Sequence, residues 1–264
     1  MIFLLKITIT PILVAFMSLV ARRWGPRIGG IIMGMPWMTG PILFFLGIEH
    51  GEAYAARTSV GVLIGTIGIA GYVLAYAYTA RRASWPFSIA AAFVTYAVVG
   101  SAVSGLALSL WTAAIAGFAC LCGAYLLMPK VSDPGGLRFL PWWDIPMRML
   151  ATAVLISIIT ISAEYLGPEL SGVVATYPVI LSVISVFTHW QWGWPALVQL
   201  IRGTTLSLLS FVAFFLVVGL SAETVGLTWS FVLACISALA GNSIVILAGA
   251  RNSRIRATET KSAE

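Results

Sequence analysis

Two prolines in apolar stretches mark the places where this chain could hold a small molecule. Pro36 lies in GIIMGMPWMTGP, and Pro178 lies in GVVATYPVILS. Each proline lacks a backbone N–H and so frees the carbonyl group four residues earlier, that of Ile32 and that of Val174. A helix that breaks in this way inside a membrane needs protein or a water-lined cavity to satisfy the freed group. The two breaks are therefore the first candidate for a binding site.

Both breaks are flanked by aromatic and hydroxyl side chains that suit the binding of a small solute. Trp37 and Thr39 follow the first proline, and Thr176 and Tyr177 precede the second. Paired broken helices at corresponding positions of two halves are the best sequence signal for the binding site of a membrane transporter. Under the alternative interpretation, both are ordinary kinked helices that pack through neighbouring glycines. The predicted solute site comprises these four residues and the two prolines.

Two arginines form a second candidate group. Arg57 and Arg202 each lie near the start of the helix that follows a predicted break. A cation held at membrane depth costs at least about 2.5 kcal/mol and is usually retained for a partner, an anion or a transport pathway. Arg202 and Arg57 are therefore predicted to bias the site toward anionic or zwitterionic solutes. The alternative is that each side chain extends to the membrane surface and keeps its charge in water.

Two histidines complete the titratable set. His50 ends the first predicted broken helix, and His189 ends the second within FTHWQWGW. Histidine exchanges protons near neutral pH, so both are candidates for coupling transport to a proton gradient. The alternative for His189 is a structural anchor among the tryptophans that surround it.

The chain lacks the residue patterns of common enzyme and metal sites. It has no Ser-His-Asp arrangement, no His/Cys metal spacing, no P-loop and no dinucleotide fingerprint. Its three cysteines, Cys120, Cys122 and Cys235, all lie inside apolar stretches. No aspartate or glutamate is predicted deep inside a span, which argues against a cation pump that depends on a membrane carboxylate. We therefore expect no catalytic residue, no metal site, no cofactor and no enzyme activity.

Composition places these residues in an integral membrane protein. Of 264 residues, 60% are hydrophobic and only 9% are charged, whereas soluble domains carry roughly a quarter charged residues. The net charge of +6 is spread between apolar runs rather than gathered on a water-facing domain, so nucleic acid is not an expected partner. The expected partners are membrane lipid and a small-molecule solute, and a homo-oligomer is compatible with the sequence.

The apolar runs predict an all-α protein with about nine transmembrane helices, because each span needs about 20 apolar residues. The runs are long and continuous rather than alternating with period two, which excludes membrane strands. The predicted helices lie near 2–20, 28–48, 58–79, 86–104, 107–128, 147–166, 170–188, 196–220 and 227–249.

The distribution of basic residues supports this helix count. With nine spans, 13 of the 15 lysine and arginine residues fall on one side of the membrane. That side is cytoplasmic by the positive-inside rule. The N-terminus is therefore predicted outside and the C-terminal tail inside.

The stretch around the first break recurs 142 residues later in the chain. Seven residues of 25–51 recur unchanged at 167–193, and several are glycine or proline, whose roles concern the backbone rather than hydrophobicity. Each copy holds about four helices, and one extra helix separates them, so the second copy is predicted to be inverted in the membrane. Arg22, Arg27 and Arg81 of the first copy accordingly match glutamates in the second.

The repeat divides the chain into four parts. The first and third are the two four-helix units, the second is a linker helix with a cytoplasmic loop, and the last is a cytoplasmic tail expected to be disordered. Their bounds are 1–106, 107–144, 145–250 and 251–264.

Each copy also resembles a known family of small membrane proteins. The pattern Gly-Pro-x-[Ile/Leu]-x-Gly is followed by a proline and a phenylalanine, with a charged loop before it and Trp-Pro or Thr-Trp opening the fourth helix. In these features each unit is similar to the four-helix GlpM-like proteins, and the whole chain looks like a fused duplicate of such a unit. The resemblance implies a location in the bacterial inner membrane, and it lends neither a substrate nor a residue role.

Together these observations predict a small secondary transporter or exporter that moves a small polar, anionic or zwitterionic solute by alternating access between inverted repeats. Two alternatives stay open at this point. The chain is compatible with a non-transporting assembly or regulatory partner of another complex. It is also compatible with a lipid flippase that binds phosphate through its arginines.

Overall fold

The computed structural model describes residues 2–131, 141–165 and 177–262. Every regular element in these ranges is a helix, which confirms the predicted all-α class. The helices are α1 (Ile2–Trp24), α2 (Pro26–Met33), α3 (Thr39–His50), α4 (Glu52–Thr79), α5 (Trp85–Ser104), α6 (Leu110–Leu127), α7 (Asp144–Tyr165), α8 (Val179–Val225) and α9 (Leu227–Ser262).

Several helices follow one another with a single glycine between them. Gly51 joins α3 to α4 with φ 92°, and Gly193 bends α8 with φ 82°. Backbone with positive φ is open to glycine at little cost and strained for other residues, so these positions fix where the chain changes direction. The long helix α8 is therefore two helical parts, 179–192 and 194–225, that meet at Gly193.

Five helices in the described ranges are long and apolar enough to cross a membrane. They are α4, α6, α8 and most of α5 and α9. The helix α3 has 12 residues and so spans about 18 Å, which is short of the roughly 30 Å of a bilayer core. The structure thus has the helices of a membrane protein, and it shows five candidate spans where the sequence predicts nine.

Helix starts recur at the interval of the sequence repeat. Asp144, where α7 begins, follows Ile2 of α1 by 142 positions. Leu227, where α9 begins, follows Trp85 of α5 by the same interval. The turn glycine Gly193 follows Gly51 by 142 positions as well. Two pairs of helices at equivalent places in the repeat therefore begin at matching positions.

The centre of the molecule is formed by α4 and α8. These two helices pack against each other, α5 and α6 pack on α4, and α2, α6 and α9 pack on α8. Tyr72, Tyr76, Leu197 and Phe215 are fully buried between them. By contrast, large apolar side chains on α5, α6 and α9 are exposed, as expected for surfaces that face lipid.

The helix α2 lies directly on α8 through glycines. A Cβ placed on Gly30 would lie 2.1 Å from the carbonyl oxygen of Leu200, and one on Gly203 would lie 2.3 Å from that of Arg27. Small residues allow this approach of two backbones, as is usual between membrane helices. The contact fixes the position of α2 and of the break that follows it.

Pro41 lies in the first turn of α3, where its missing N–H has no helical partner to lose. One local prediction differs from the structure. The segment predicted as a disordered tail from 251 continues α9 as far as Ser262. Its alanine, arginine, glutamate and lysine residues favour helix, and this preference outweighs their polarity.

Candidate functional site

A cavity of about 360 Å³ lies between the two predicted breaks. From the first break it is lined by Trp37 and Thr39, and from the second by Tyr177 and Pro178. The remaining wall comes from apolar residues of α4, α7 and α8, together with Thr204. The structure therefore brings together four of the predicted solute-site residues, whereas Thr176 lies outside the described residues.

The first helix does break at Pro36, and residues 34–38 between α2 and α3 are not helical. The carbonyl of Ile32, which the proline was predicted to free, accepts a hydrogen bond of 2.7 Å from the indole N–H of Trp37. The indole ring also packs edge-on against Phe16 of α1, with 6.1 Å between ring centroids. The Trp37 indole thus satisfies a carbonyl group beside the break at Pro36, and its N–H is therefore not available to a solute.

The helix predicted to precede Pro178 lies outside the described residues, and α8 begins at Val179. Residues 177 and 178 are not helical, and the carbonyl of Pro178 accepts hydrogen bonds from the backbone N–H of Ser182 at 2.9 Å and from its hydroxyl at 3.0 Å. Tyr177 is 8% exposed and is held edge-on by three aromatic rings, those of Tyr72, Phe93 and Tyr96. This packing fixes the side chain that forms one wall of the cavity.

Neither predicted arginine lines the cavity. The guanidinium of Arg202 donates hydrogen bonds to the carbonyls of Tyr125 and Met128, at 3.2 and 3.1 Å, and lies 4.2 Å from the centre of the Tyr125 ring. These carbonyls end α6, where unpaired oxygens and the helix dipole both attract a cation. Arg57 is exposed near the start of α4. The predicted bias toward anionic solutes therefore has no support in the lining of the cavity.

Replacing Arg202 with glutamine is expected to lower the free energy of unfolding by about 1.5–3 kcal/mol, the range for hydrogen bonds to charged groups. The reason is that the end of α6 would lose its capping charge. Unfolding in detergent, followed by tryptophan fluorescence, measures the change. Arg57→Gln is the matched control and should stay within about 0.5 kcal/mol of the parent chain, as surface substitutions do. An unchanged stability for Arg202→Gln would contradict the capping role.

The two histidines occupy different surroundings. His50 is exposed and packs against Tyr54, with 4.8 Å between ring centroids. His189 is partly buried and packs against Tyr76 at 5.9 Å, and its Nδ1 is buried without a hydrogen-bond partner among the described residues. Neither histidine lines the cavity itself.

Sequence reasoning missed a buried ionic cluster, which we call the Asp144 cluster. Its members are Arg22 of α1, Asp144 and Arg148 of α7, and Gln191 of α8. Asp144 accepts hydrogen bonds from Arg22, from Arg148 at 2.9 Å and from Gln191, while Arg148 also donates to Gln191 at 2.8 Å. Asp144 is 0% and Arg148 3% exposed.

The carboxyl group of the Asp144 cluster is held ionised. Burial raises the pKa of Asp144, but the charge of Arg148 and the hydrogen bonds from Gln191, Arg22 and Arg148 outweigh this, so its pKa lies below the usual value. The only sequence signal was the spacing of four residues between Asp144 and Arg148, which places both on one helix face. The partners on α1 and α8 are far away in sequence.

Comparisons of the chain with protein-family models, with curated proteins and with solved structures found no match. The similarity to GlpM-like proteins stays a prediction from the sequence pattern. The site is therefore interpreted from its own geometry.

Proposed function

We propose that the protein is a small secondary transporter that moves a solute across a membrane by alternating access between two inverted halves. The observation that carries this proposal is the cavity between the break at Pro36 and the non-helical residues 177–178 before α8, with the two prolines 142 positions apart. In transporters built from inverted repeats, the solute binds between broken helices near the middle of the bilayer, and the halves rock around it.

The arrangement of the central helices supports the same proposal. The helix α4 follows Gly51 and packs at the core against α8, whose second part follows the equivalent Gly193. The sign change of the charges between the two copies supports an inverted second copy. The positive-inside rule then gives an outside N-terminus and a cytoplasmic C-terminus in a bacterial inner membrane.

The lining of the cavity favours an uncharged solute with a mainly apolar body. No charged side chain lines the cavity in the part of the chain that the structure describes. The hydroxyl of Thr204 donates to the carbonyl of Leu200 at 3.0 Å, so it remains able to accept a hydrogen bond from a solute. A volume of about 360 Å³ suits a small molecule, since ligand pockets span roughly 300–1,000 Å³. We therefore propose a small neutral or amphipathic solute in place of an anion.

Cysteine accessibility tests the proposal. In a background without Cys120, Cys122 and Cys235, single cysteines at Thr39 and Ile180 are labelled from each side of oriented vesicles with a membrane-impermeant maleimide. We expect both positions to react, because they line the cavity, and to react from opposite sides in different conformations.

A cysteine at Ile115 provides the matched control. This residue of α6 is 65% exposed on an apolar surface, so it should face lipid and stay unlabelled. Protection of both cavity positions from both sides would mean a sealed core and would overturn the transporter proposal.

A further inference from the structure

A row of polar aromatic side chains leads away from the cavity between α4 and the first part of α8. Tyr177 at the cavity wall is followed by Tyr72, Tyr76 and His189, and successive ring centroids are 6.1, 6.0 and 5.9 Å apart. Tyr177 and His189 are 12 residues apart, so the row runs for about 18 Å along α8. The four rings thus form a continuous line, which we call the tyrosine row.

Several polar atoms of the tyrosine row lack hydrogen-bond partners. Tyr72 and Tyr76 are both 0% exposed, and neither hydroxyl has a partner within the described ranges. The Tyr72 hydroxyl lies close to the side chains of Tyr177 and Ser182, at the cavity end of the row. The hydroxyl of Ser185 and Nδ1 of His189 are also buried and unpaired.

Unpaired polar atoms of this kind indicate water. Buried hydroxyls and ring nitrogens are almost always hydrogen-bonded in folded proteins, to ordered water where no protein group is near. A single unpaired atom has many explanations, but here three of them, on Tyr72, Tyr76 and His189, follow one line between a cavity and a histidine. Buried waters typically make about three hydrogen bonds each, so a short chain of waters would satisfy the whole row.

The far end of the tyrosine row is His189. Its ring packs on Tyr76 of α4, whereas Gln191, two residues later on α8, bonds Asp144 and Arg148 of α7. Side chains two residues apart on a helix point to different sides, so the Asp144 cluster lies on another side of α8 from the tyrosine row. His189 is only partly buried, and this exposure connects the end of the row to water outside the core.

We propose that the tyrosine row is a water-filled proton path between His189 and the cavity, with His189 as its proton-exchanging end. A proton from outside water binds one ring nitrogen of His189, and the buried Nδ1 passes a proton to the first water of the row. Each water and tyrosine hydroxyl along the row then accepts one proton and donates one, and the last hydroxyl, that of Tyr177, donates to water in the cavity. One proton enters, one leaves, and no group is oxidised or reduced. The path rests on the proposed transport function, which opens the cavity to the far side.

Proton flux into vesicles tests the path. The full chain is reconstituted in liposomes that contain a trapped pH-sensitive dye, and a potassium diffusion potential drives protons inward. We expect acidification above that of protein-free liposomes, because the cavity completes the route to the far side. Tyr76→Phe keeps the ring and removes only the central hydroxyl, and it should slow this flux by about tenfold or more.

Tyr78→Phe is the matched control on the same helix. The Tyr78 hydroxyl donates to the carbonyl of Leu127 at 2.8 Å and lies outside the row, so its removal should leave the flux unchanged. His189→Gln should reduce the flux like Tyr76→Phe, and it keeps the proposal testable if either variant folds poorly. The absence of flux in the parent chain, or equal flux in Tyr76→Phe and Tyr78→Phe, would overturn the path.

The proton-flux assay tests the path, and the cysteine-accessibility assay tests the transporter proposal, so the two outcomes can be told apart. Labelled cavity positions without proton flux would leave the transporter proposal intact and remove the path. Flux with protected cavity positions would leave a proton path in a protein that does not alternate.

Discussion

Replacing Asp144 with asparagine is expected to lower the free energy of unfolding by about 3–5 kcal/mol, the cost of removing one partner from a buried ion pair. The carboxylate holds two guanidinium groups, those of Arg22 and Arg148, and it is itself fully buried. Asparagine keeps the shape and removes the charge. Arg148, only 3% exposed, would then be a buried cation without a counter-ion, next to a second cation.

Chemical unfolding in detergent micelles measures this loss, and charge variants on α1 and α7 separate its causes. Arg22→Gln should destabilise the protein by a smaller amount, because Asp144 keeps Arg148, while the exposed neighbour Arg23→Gln should have little effect. In the double variant Asp144→Asn with Arg148→Gln, the loss should be smaller than the sum of the two single losses, since neither charge is left unpaired. Additive losses would show that the pair does not interact.

The Asp144 cluster also joins distant parts of the chain. Arg22 belongs to α1, Asp144 and Arg148 belong to α7, and Gln191 belongs to α8. In the sequence, Asp144 closes a polar linker and has no feature that marks burial. Its burial depends on groups 122 and 47 positions away, and pairing at such separations cannot be read from one sequence.

Local backbone signals were the most readable part of the sequence. Pro36 predicted a break and the loss of the helical partner of the Ile32 carbonyl, because both effects follow from the missing N–H. The helix does break there, and the carbonyl accepts hydrogen bonds from the Trp37 indole and the backbone N–H of Met35 instead. The bond from the indole of Trp37 depends on how the chain turns after the break. The recurrence of Gly51 at Gly193 likewise predicted equivalent positions, and both adopt positive φ.

Side-chain contacts between residues far apart in sequence were predicted less well. Arg202 was recognised as a cation in an apolar run that needed a partner, and it has two, but they are carbonyls at the end of α6, 77 and 74 positions away. The tyrosine row shows the same limit. Tyr72 and Tyr76 lie one turn apart on α4, while Tyr177 and His189 come from α8 and the residues just before it, and the packing of the two brings them into one line.

Substituting alanine for Gly30 is expected to cost about 3 kcal/mol or more of unfolding free energy, at or beyond the upper end for overpacked sites. The new methyl group would lie 2.1 Å from the carbonyl oxygen of Leu200 and 2.9 Å from the backbone nitrogen of Thr204. Both contacts are with backbone, so no side chain can rotate away and the two helices must separate. Gly203→Ala should have a similar effect from the opposite surface, where Arg27 lies 2.3 Å away.

The matched control is Gly123→Ala in α6, where an added Cβ meets nothing within 4 Å. This variant should be neutral or up to about 1 kcal/mol more stable, because alanine favours helix over glycine. Thermal unfolding of the three variants in one detergent distinguishes lost packing from changed helix preference. Since Gly34 and Thr204 belong both to this contact and to the cavity wall, separation of α2 from α8 should also expose a cysteine at Thr39 to label from both sides at once. A Gly30→Ala protein that unfolds like the parent would show that α2 does not lie on α8 as described.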